Sequence, residues 1–86
     1  MDRIIIDVRE PFEYKMGHVR GAINIPVSKL MNGAKNLESI PNNSEIILYC
    51  NSGSRSSVAT NILKRLGYTN VVNGINKSNV IKNYLL

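Results

Sequence analysis

The sequence has few aromatic residues and almost no thiol or imidazole groups. It contains no Trp, one Phe, one Cys and one His. A single Cys excludes an intramolecular disulfide and a cluster of cysteine ligands, and one His adds too little for a zinc site. We therefore expect no metal and no cofactor, and a core built from aliphatic side chains.

Long hydrophobic runs are also missing. No apolar segment reaches the length of about 18 residues that indicates a membrane helix. The apolar run near the N-terminus, Ile4 to Val8, is interrupted by Asp7 and is too short for the core of a signal peptide. We expect a cytoplasmic protein with no membrane partner, although a removed leader or a longer N-terminus would leave no trace in this sequence.

The charge balance is basic but does not have a nucleic-acid-binding pattern. Eleven Lys and Arg residues against six Asp and Glu residues give a net charge of +5. The basic residues are scattered singly, apart from Lys64 and Arg65, and no aromatic residues alternate with a basic run. The surplus favours small anionic partners through long-range attraction. We expect no nucleic-acid partner.

Length and composition are those of one small globular domain. The 86 residues, 43% of them hydrophobic and 20% charged, leave room for one core, so we predict a single domain over residues 1–86. Apolar runs predict buried strands at residues 3–8 and 45–50. A brief extended segment is predicted at 21–27 and a short strand at 69–73.

Helical signals alternate with these strands. Pro11 starts a short helix, residues 28–38 form a broken helix, and Ser78 caps a terminal helix over 78–86. Another helix is predicted over 56–66, with one apolar stripe facing a core. The stripe consists of Val58, Ala59, Ile62, Leu63 and Leu66. Strands that alternate with helices predict an α/β fold with a parallel sheet.

The only cysteine stands where a strand leads into a helix. Cys50 ends the second apolar run, and the segment CNSGSRS, residues 50–56 (the Cys50 loop), follows it. Gly53 allows the backbone to turn its N–H groups inward, and the helix N-terminus adds positive potential. Arg55 adds a cation that can fork onto an oxyanion. These features favour a thiolate and predict a lowered pKa for Cys50.

Two alternatives for this loop stay open. Cys50 could be a small buried hydrophobic residue, but packing alone requires neither Gly53 nor Arg55 after it. The hydroxyl groups of the loop either donate hydrogen bonds to a bound anion or serve as solvated residues and a helix cap. These hydroxyl groups belong to Ser52, Ser54 and Ser56.

Two motifs resemble those of the rhodanese family of single-domain sulfurtransferases. They are DVREPFEYKMGHVRGAINIP, residues 7–26, and the Cys50 loop. The resemblance covers residues 3–75 and implies a three-layer α/β/α fold with a small parallel sheet. Only six residues precede Asp7, whereas family members usually begin with a further strand and helix. We therefore expect a sheet trimmed at the N-terminus to about four strands, a thinner core, and a surface that is compatible with self-association.

The resemblance also implies a function. In rhodaneses the active-site thiolate takes the outer sulfur of a donor such as thiosulfate, becomes a persulfide, and passes the sulfur to cyanide or a thiol. It implies that Cys50 is the catalytic nucleophile of a thiosulfate sulfurtransferase, with a small anionic sulfur donor. No second Cys is present, so the acceptor is expected to be external: a thiol, cyanide or a protein. The identities of the natural donor and acceptor stay open.

The resemblance assigns further roles to both motifs. The residues expected to bind the donor are Asn51, Ser52, Gly53, Ser54, Arg55, Ser56 and Arg9. Asp7 is expected to support the site by accepting backbone N–H groups near the loop, while Arg9 either lines the pocket mouth or lies on the surface. His18 either acts as a general base for Cys50 or supports a structural turn, and we favour the turn.

Two other classes of function remain as alternatives. One is a non-catalytic rhodanese-like module that binds a protein, although inactive modules typically lack the Cys. The other is a Cys-dependent phosphatase or arsenate reductase, which uses Cys-x5-Arg. Here Cys50 and Arg55 form Cys-x4-Arg, a tighter loop that favours one sulfur atom over a phosphoryl group.

The sequence also departs from the family near its C-terminus. Many rhodaneses carry Gly-Gly-Ile/Val followed by Trp, whereas this chain has NGINKSNV, with Asn73 in place of the first Gly and no Trp. We expect this difference to affect the packing of the last helix rather than the chemistry.

Overall fold

The computed structural model describes residues 3–85 as a parallel sheet with helices on both faces. Its strands are β1 Arg3–Asp7, β2 Ile23–Asn24, β3 Glu45–Tyr49 and β4 Val71–Ile75. Its α-helices are α1 Pro11–Met16, α2 Val27–Met31, α3 Ser54–Arg65 and α4 Lys77–Tyr84, and a 3-10 turn covers Lys35–Leu37. The predicted three-layer α/β/α fold with a small parallel sheet is confirmed.

The order of the strands explains where the Cys50 loop lies. The sheet has the order β2-β1-β3-β4 with every pair parallel, so β1 and β3 are central. Central strands of a parallel sheet are covered on both faces, which is why their sequences are almost continuously apolar. Parallel strands also end at one common edge. Asp7 and Tyr49, which are register partners, end β1 and β3 there, and Cys50 follows directly.

The two faces of the sheet bury separate apolar clusters. Alternate residues of a strand point to opposite faces, and each set meets different helices. The face under α2 and α3 includes Ile6, Ile46, Leu48, Leu30 and Leu63. The face under α4 includes Ile5, Ile47, Tyr49 and Val80, with Tyr14 of α1 packed against it.

The apolar stripe predicted on α3 is only partly buried. Ala59 and Leu63 are fully buried against the sheet, as expected. Val58 and Leu66, however, are 49% and 45% exposed. They lie on the flank of α3 that turns towards α2, where they line an open groove with Met31. The prediction that the whole stripe faces a core is therefore wrong, because the sheet covers only part of the stripe's width.

The predicted start of the last helix is also wrong. Strand β4 extends to Ile75, two residues beyond its predicted end, and α4 begins at Lys77. The cap is Asn76, whose side chain accepts a hydrogen bond from the backbone N–H of Asn79 at 2.8 Å. Ser78 therefore lies inside the first turn and does not cap the helix. Leu86, the last residue of the predicted helix, lies outside the described residues.

A β-bulge in β4 directs the end of this strand towards the Cys50 loop. Asn73 pairs with Leu48 and Ile75 pairs with Tyr49, so Gly74 is an extra residue in β4. A Cβ atom on Gly74 would lie 2.7 Å from two methyl carbons packed against it, which only glycine avoids. Bulges commonly re-aim side chains beside active sites. Here the bulge determines where Asn73 points.

Candidate active site

The Cys50 loop makes a tight bend between β3 and α3. Gly53 has a φ of +97°, in the left-handed region that favours glycine. A Cβ atom at this position would also lie 3.2 Å from the Cγ2 atom of Ile75. The backbone N–H of Cys50 donates to the carbonyl oxygen of Ile75 at 3.1 Å, which ties the loop to the end of β4. Both the bend and the close approach of β4 therefore require a glycine.

The sulfur atom of Cys50 lies inside this bend. The Cys50 side chain is buried, and its Sγ atom accepts hydrogen bonds from the backbone N–H of Gly53 at 3.1 Å and of Ser56 at 3.4 Å. The Ser56 hydroxyl lies 3.5 Å from the same sulfur. Several donors that converge on one sulfur form a site prepared for negative charge.

The electrostatic balance at Cys50 favours the thiolate. Burial is the largest influence and raises the pKa of the thiol, but hydrogen bonds from the Ser56 hydroxyl and from the backbone N–H groups of Ser56, Ser52 and Gly53 lower it. Together they bring the pKa of Cys50 from 9.0 down to about 7. A lowered pKa favours the nucleophilic thiolate form near neutral pH.

Arg55 was expected to bind the donor, and in the structure its guanidinium is paired with a carboxylate of α1. It forks onto the carboxylate of Glu13 in α1, with N–O distances of 2.7 and 3.1 Å. This hydrogen bond is the main reason that the pKa of Glu13 falls from 4.5 to about 2 and that the pKa of Arg55 is raised, and negative charge on Cys50 raises the Arg55 pKa further. Arg55 thus acts on the thiolate through charge, while its guanidinium holds the loop to α1.

A second ion pair contacts the loop through Asn51. Asp7 and Arg9 are buried and joined by three guanidinium–carboxylate hydrogen bonds of 2.7 to 3.1 Å. The backbone N–H of Arg9 donates to Asp7 at 3.0 Å, and the Tyr49 hydroxyl donates to Asp7 at 2.9 Å. We call Asp7, Arg9 and Tyr49 the Asp7 cluster. The expectation that Asp7 accepts a backbone N–H near the loop agrees with this geometry.

Arg9 does not lie on the surface, and it lines a depression beside the loop together with Glu13, Asn51 and Lys77. Its side chain is buried, and its guanidinium also donates to the carbonyl oxygen of Gly17 at 2.8 Å. It reaches the Cys50 loop through Asn51, whose Oδ1 atom lies 3.3 Å away. The Nδ2 atom of Asn51 in turn donates to Glu13 at 2.9 Å. Asn51 therefore links the Asp7 cluster to the Glu13–Arg55 pair.

His18 is engaged with α1. Its ring stacks on Tyr14 with the centroids 3.6 Å apart, and its Nδ1–H donates to the Tyr14 carbonyl oxygen at 2.8 Å. The side chain is exposed just after the end of α1. This geometry suits the turn role that we favoured.

The three serines of the loop are in different environments. Ser52 and Ser54 are exposed, and their hydroxyl oxygens lie 3.3 Å from each other. Ser56 is completely buried and is the serine that contacts the Cys50 sulfur. Only Ser52 and Ser54 therefore present their hydroxyl groups to solvent at the mouth of the loop.

Two residues at the site were not singled out for it from the sequence. Glu13 belongs to the first motif, but nothing in its local pattern indicates that it pairs with Arg55. Asn73 was expected to bear on the packing of the last helix, and this expectation is wrong. Its side chain contacts Ser56 and Gly53 of the Cys50 loop. The available signal was its place at the carboxyl end of the strand beside β3.

Two further features of residues 3–85 bear on the class of site. Across this range, no three His, Cys, Asp or Glu side chains come together in a way that could hold a metal ion. None of the helices in the same range is both long enough and apolar enough to cross a membrane. What the described residues offer at the carboxyl edge of the sheet is a thiolate surrounded by hydrogen-bond donors.

Comparison with known proteins agrees with this geometry. The family model described as a rhodanese-like domain matches residues 1–76. The thiosulfate sulfurtransferase PspE of Escherichia coli is 41% identical over 69 residues, which cover 79% of this chain and 64% of PspE. The chain therefore spans less than two thirds of the length of that curated relative.

Solved structures show the same fold. A rhodanese with anions from E. coli superimposes with a TM-score of 0.81 at 35% identity, covering 91% of each chain. The human single-domain sulfurtransferase TSTD1 superimposes with a TM-score of 0.79 at 26% identity, covering 94% of this chain and 82% of TSTD1. The resemblance inferred from the two sequence motifs is confirmed: this chain belongs to the rhodanese-like domain family.

Proposed function

We propose that this chain, as one rhodanese-like domain over residues 1–86, is a thiosulfate sulfurtransferase with Cys50 as its nucleophile. The observation that carries the proposal is the set of donors around the Cys50 sulfur, with Gly53 N–H at 3.1 Å and Ser56 N–H at 3.4 Å. These groups stabilise a thiolate before reaction and the terminal sulfur of a persulfide after it. The similarity to PspE, a thiosulfate sulfurtransferase, supports the same activity.

The reaction divides into two displacements. In the first, the Cys50 thiolate attacks the outer sulfur of thiosulfate, an S–S bond forms between Cys50 and that sulfur, and the S–S bond of thiosulfate breaks to release sulfite. In the second, cyanide or a thiolate attacks the outer sulfur, and its bond to Cys50 breaks to return the thiolate. In each step the transferred sulfur atom gains one bond from the attacking nucleophile and loses one bond to the leaving group, so no external oxidant or reductant is needed.

The charges around the loop suit an anionic donor. A depression of about 360 Å³ beside the loop is lined in part by Asn51, Glu13 and Lys77. Lys77 at the start of α4 lies near Gly17, because its Nζ atom is 3.5 Å from the position that a Cβ atom on Gly17 would occupy. We propose that the donor approaches from this side, attracted by Lys77 and by the net charge of +5.

We assign the donor-binding residues predicted from the sequence to two groups. Ser52 and Ser54 meet the donor directly at the mouth of the loop, while the backbone of Gly53 and the buried Ser56 receive its transferred sulfur. The second group holds the loop in position and consists of Asn51, Arg55 and Arg9. Arg9 donates to Asn51, and both Asn51 and Arg55 donate to Glu13. Asp7 and His18, both in the first motif, support the structure of the site.

The acceptor is proposed to be external. Cys50 is the only cysteine, so no second thiol of the chain is available to attack its persulfide. A small-molecule thiol, cyanide or a persulfide-accepting protein would each serve. A reducing compartment such as the cytoplasm suits a site that requires a free thiolate.

Intact mass spectrometry tests the proposal directly. After the reduced protein is mixed with thiosulfate, we expect a gain of the mass of one sulfur atom, which is lost when cyanide or a thiol is added. The matched control is Cys50→Ser, which keeps a small polar side chain and should gain nothing. Absence of the gain with thiosulfate and with persulfide donors, or an equal gain in Cys50→Ser, would contradict the proposal. Binding of a protein without any sulfur loading would instead favour the non-catalytic module.

A further inference from the structure

Asn73 reaches the Cys50 loop from the neighbouring strand. It stands in β4 directly before the extra residue Gly74, and the bulge aims its side chain at the beginning of α3. Its amide makes three hydrogen bonds there: with the Ser56 hydroxyl at 2.6 Å, the Gly53 carbonyl oxygen at 3.1 Å and the Ile75 N–H at 3.0 Å. One side chain thus joins β4 to two of the residues that donate hydrogen bonds to the Cys50 sulfur.

The orientation of the Asn73 amide is determined by backbone groups. The carbonyl oxygen of Gly53 can only accept a hydrogen bond, so the atom facing it is the Nδ2 donor. The N–H of Ile75 can only donate, so the atom facing it is the Oδ1 acceptor. Because Oδ1 has no hydrogen, the 2.6 Å contact with Ser56 requires the Ser56 hydroxyl to be the donor.

This requirement limits what Ser56 can offer to Cys50. A serine hydroxyl has one hydrogen. Its nearest acceptor is Oδ1 of Asn73 at 2.6 Å, compared with 3.2 Å for the Gly53 carbonyl oxygen and 3.5 Å for the Cys50 sulfur. While the hydrogen is directed at Asn73, the lone pairs of the Ser56 oxygen remain for the S–H of the neutral thiol. The backbone N–H groups of Gly53 and Ser56 donate to the sulfur in either case. The hydroxyl adds its own part to the lowering of the Cys50 pKa only when it turns away from Asn73 and donates to the thiolate.

We propose that Asn73 is a positioning residue that restrains the Ser56 hydroxyl, so that the hydroxyl donates to the Cys50 sulfur only after its bond with Asn73 is given up. The resting site is then a chain of hydrogen bonds from the thiol through Ser56 to Asn73. In the thiol form the S–H of Cys50 donates to the Ser56 oxygen. When the sulfur becomes negatively charged, the Ser56 hydroxyl donates to the sulfur instead. This inference rests on the proposed role of Cys50 as the nucleophile.

The inference is tested by titrating the thiolate in Asn73→Ala. The ultraviolet absorbance of the thiolate is followed against pH, and the curve of Cys50→Ala is subtracted to remove the tyrosine signal. We expect the midpoint to fall by about half a unit to one unit, because the released hydroxyl donates to the thiolate. If Asn73 only held the loop in shape, its loss would loosen the backbone donors and the midpoint would rise. An unchanged or raised midpoint therefore overturns the inference.

A double substitution shows whether Ser56 transmits the effect. In a Ser56→Ala background no hydroxyl remains to be released, so adding Asn73→Ala should leave the midpoint where Ser56→Ala places it. An equal fall of the midpoint in both backgrounds would overturn the inference. Asn73→Gly, which also removes the acceptor, is the second variant and should shift the midpoint in the same direction.

The matched control is Asn79→Ala. Its amide also bonds the end of β4, donating to the Gly74 carbonyl oxygen at 2.7 Å, but the hydrogen bonds of that amide do not involve the Cys50 loop. We expect an unchanged thiol midpoint in this variant. The charged groups that surround the loop are the same in all of these variants: Arg9, Glu13, Arg55 and Lys77.

The sulfur-loading rate supplies a second readout. At about pH 6, below the midpoint, Asn73→Ala should be loaded by thiosulfate about twofold faster. The shift gives roughly two- to fivefold more thiolate, and the lower nucleophilicity of that thiolate partly offsets the gain. Failure of thiosulfate to load any variant would count against the proposed function alone, because the thiolate titration does not depend on sulfur transfer. Slower loading of Asn73→Ala together with a lowered midpoint would contradict the part of the inference that concerns catalysis.

Discussion

Two arginine–carboxylate pairs are hydrogen-bonded to Asn51 of the Cys50 loop, and water reaches them to very different extents. In the Asp7–Arg9 pair the side chains are 0% and 6% exposed, whereas in the Glu13–Arg55 pair they are 18% and 38% exposed. The shortest N–O distance is 2.7 Å in both. The two pairs therefore have the same geometry but different costs of disruption. Loss of one partner leaves a buried charge without solvation in the Asp7–Arg9 pair, whereas water can solvate the remaining charge in the more exposed Glu13–Arg55 pair.

This contrast assigns different roles to the two pairs. The Asp7 cluster joins β1, β3 and the segment before β2, since the Tyr49 hydroxyl also accepts the N–H of Val19 at 3.0 Å. The Glu13–Arg55 pair joins only the surface helix α1, which has no buried residue, to the start of α3. We expect the buried pair to govern stability and the exposed pair to govern the position of the loop.

The largest effect is expected for Asp7→Ala. This change leaves the buried guanidinium of Arg9 without its carboxylate and the Tyr49 hydroxyl without its acceptor, and we expect the free energy of unfolding to fall by about 3 to 5 kcal/mol. Urea denaturation followed by circular dichroism measures it. A loss below about 1 kcal/mol would remove the distinction between the two pairs.

Tyr49→Phe separates stability from chemistry within the Asp7 cluster. The hydroxyl that it removes both donates to Asp7 and accepts from Val19, so a loss of about 1 to 3 kcal/mol in the free energy of unfolding is expected. Sulfur-loading rates of the folded fraction should stay within about twofold of the original. A large fall in the loading rate of a stably folded variant would show that the cluster also acts on the chemistry.

Glu13→Gln should show the opposite pattern. Removing the charge frees the Arg55 guanidinium, and we expect a loss of about 1 kcal/mol or less in stability. We expect about a tenfold fall in kcat/KM for thiosulfate, since a displaced loop spoils the prepared geometry around the thiolate.

A double-mutant cycle with Arg55→Ala tests whether this effect belongs to the pair. If it does, Glu13→Gln should have little further effect on kcat/KM once Arg55 is replaced. Fully additive losses would mean that the two residues act separately. A stability loss as large as that of Asp7→Ala would contradict the division of roles.

The smallest effect is the acid dependence of the exposed pair. The pKa of Glu13 is about 2 in the folded chain and 4.5 ordinarily, so folding favours its charged form. The contribution of the Glu13 carboxylate to the free energy of unfolding is therefore complete above about pH 4.5 and is lost as the pH falls through about 2. The difference in unfolding free energy between the original chain and Glu13→Gln, measured by urea titration across this range, should shrink towards zero on acidification. A difference that stays constant would mean that the carboxylate charge contributes nothing.

Local sequence patterns predicted an element well where all of its apolar residues are buried. β1 and β3 are continuously apolar because helices cover both faces, and their positions agree with prediction to within one residue. The prediction was poorer at α3, where Val58 and Leu66 flank the covered strip, and at β4, where the extra residue Gly74 extends the strand. The periodicity of apolar residues shows neither how much of a helix surface the sheet covers nor where a strand contains a bulge.

The sequence by itself determined the kind of site. A cysteine at the end of a buried strand, a glycine three residues later and a helix directly after them place converging backbone donors around one sulfur, because all of these groups are neighbours along the chain. Only the tertiary structure decided which distant side chains contact the loop around that sulfur. Glu13 meets Arg55 across 42 positions and Asn73 meets Ser56 across 17. Hydrogen bonds form only within about 3 Å, and such distances follow from the order of the strands and the bulge in β4.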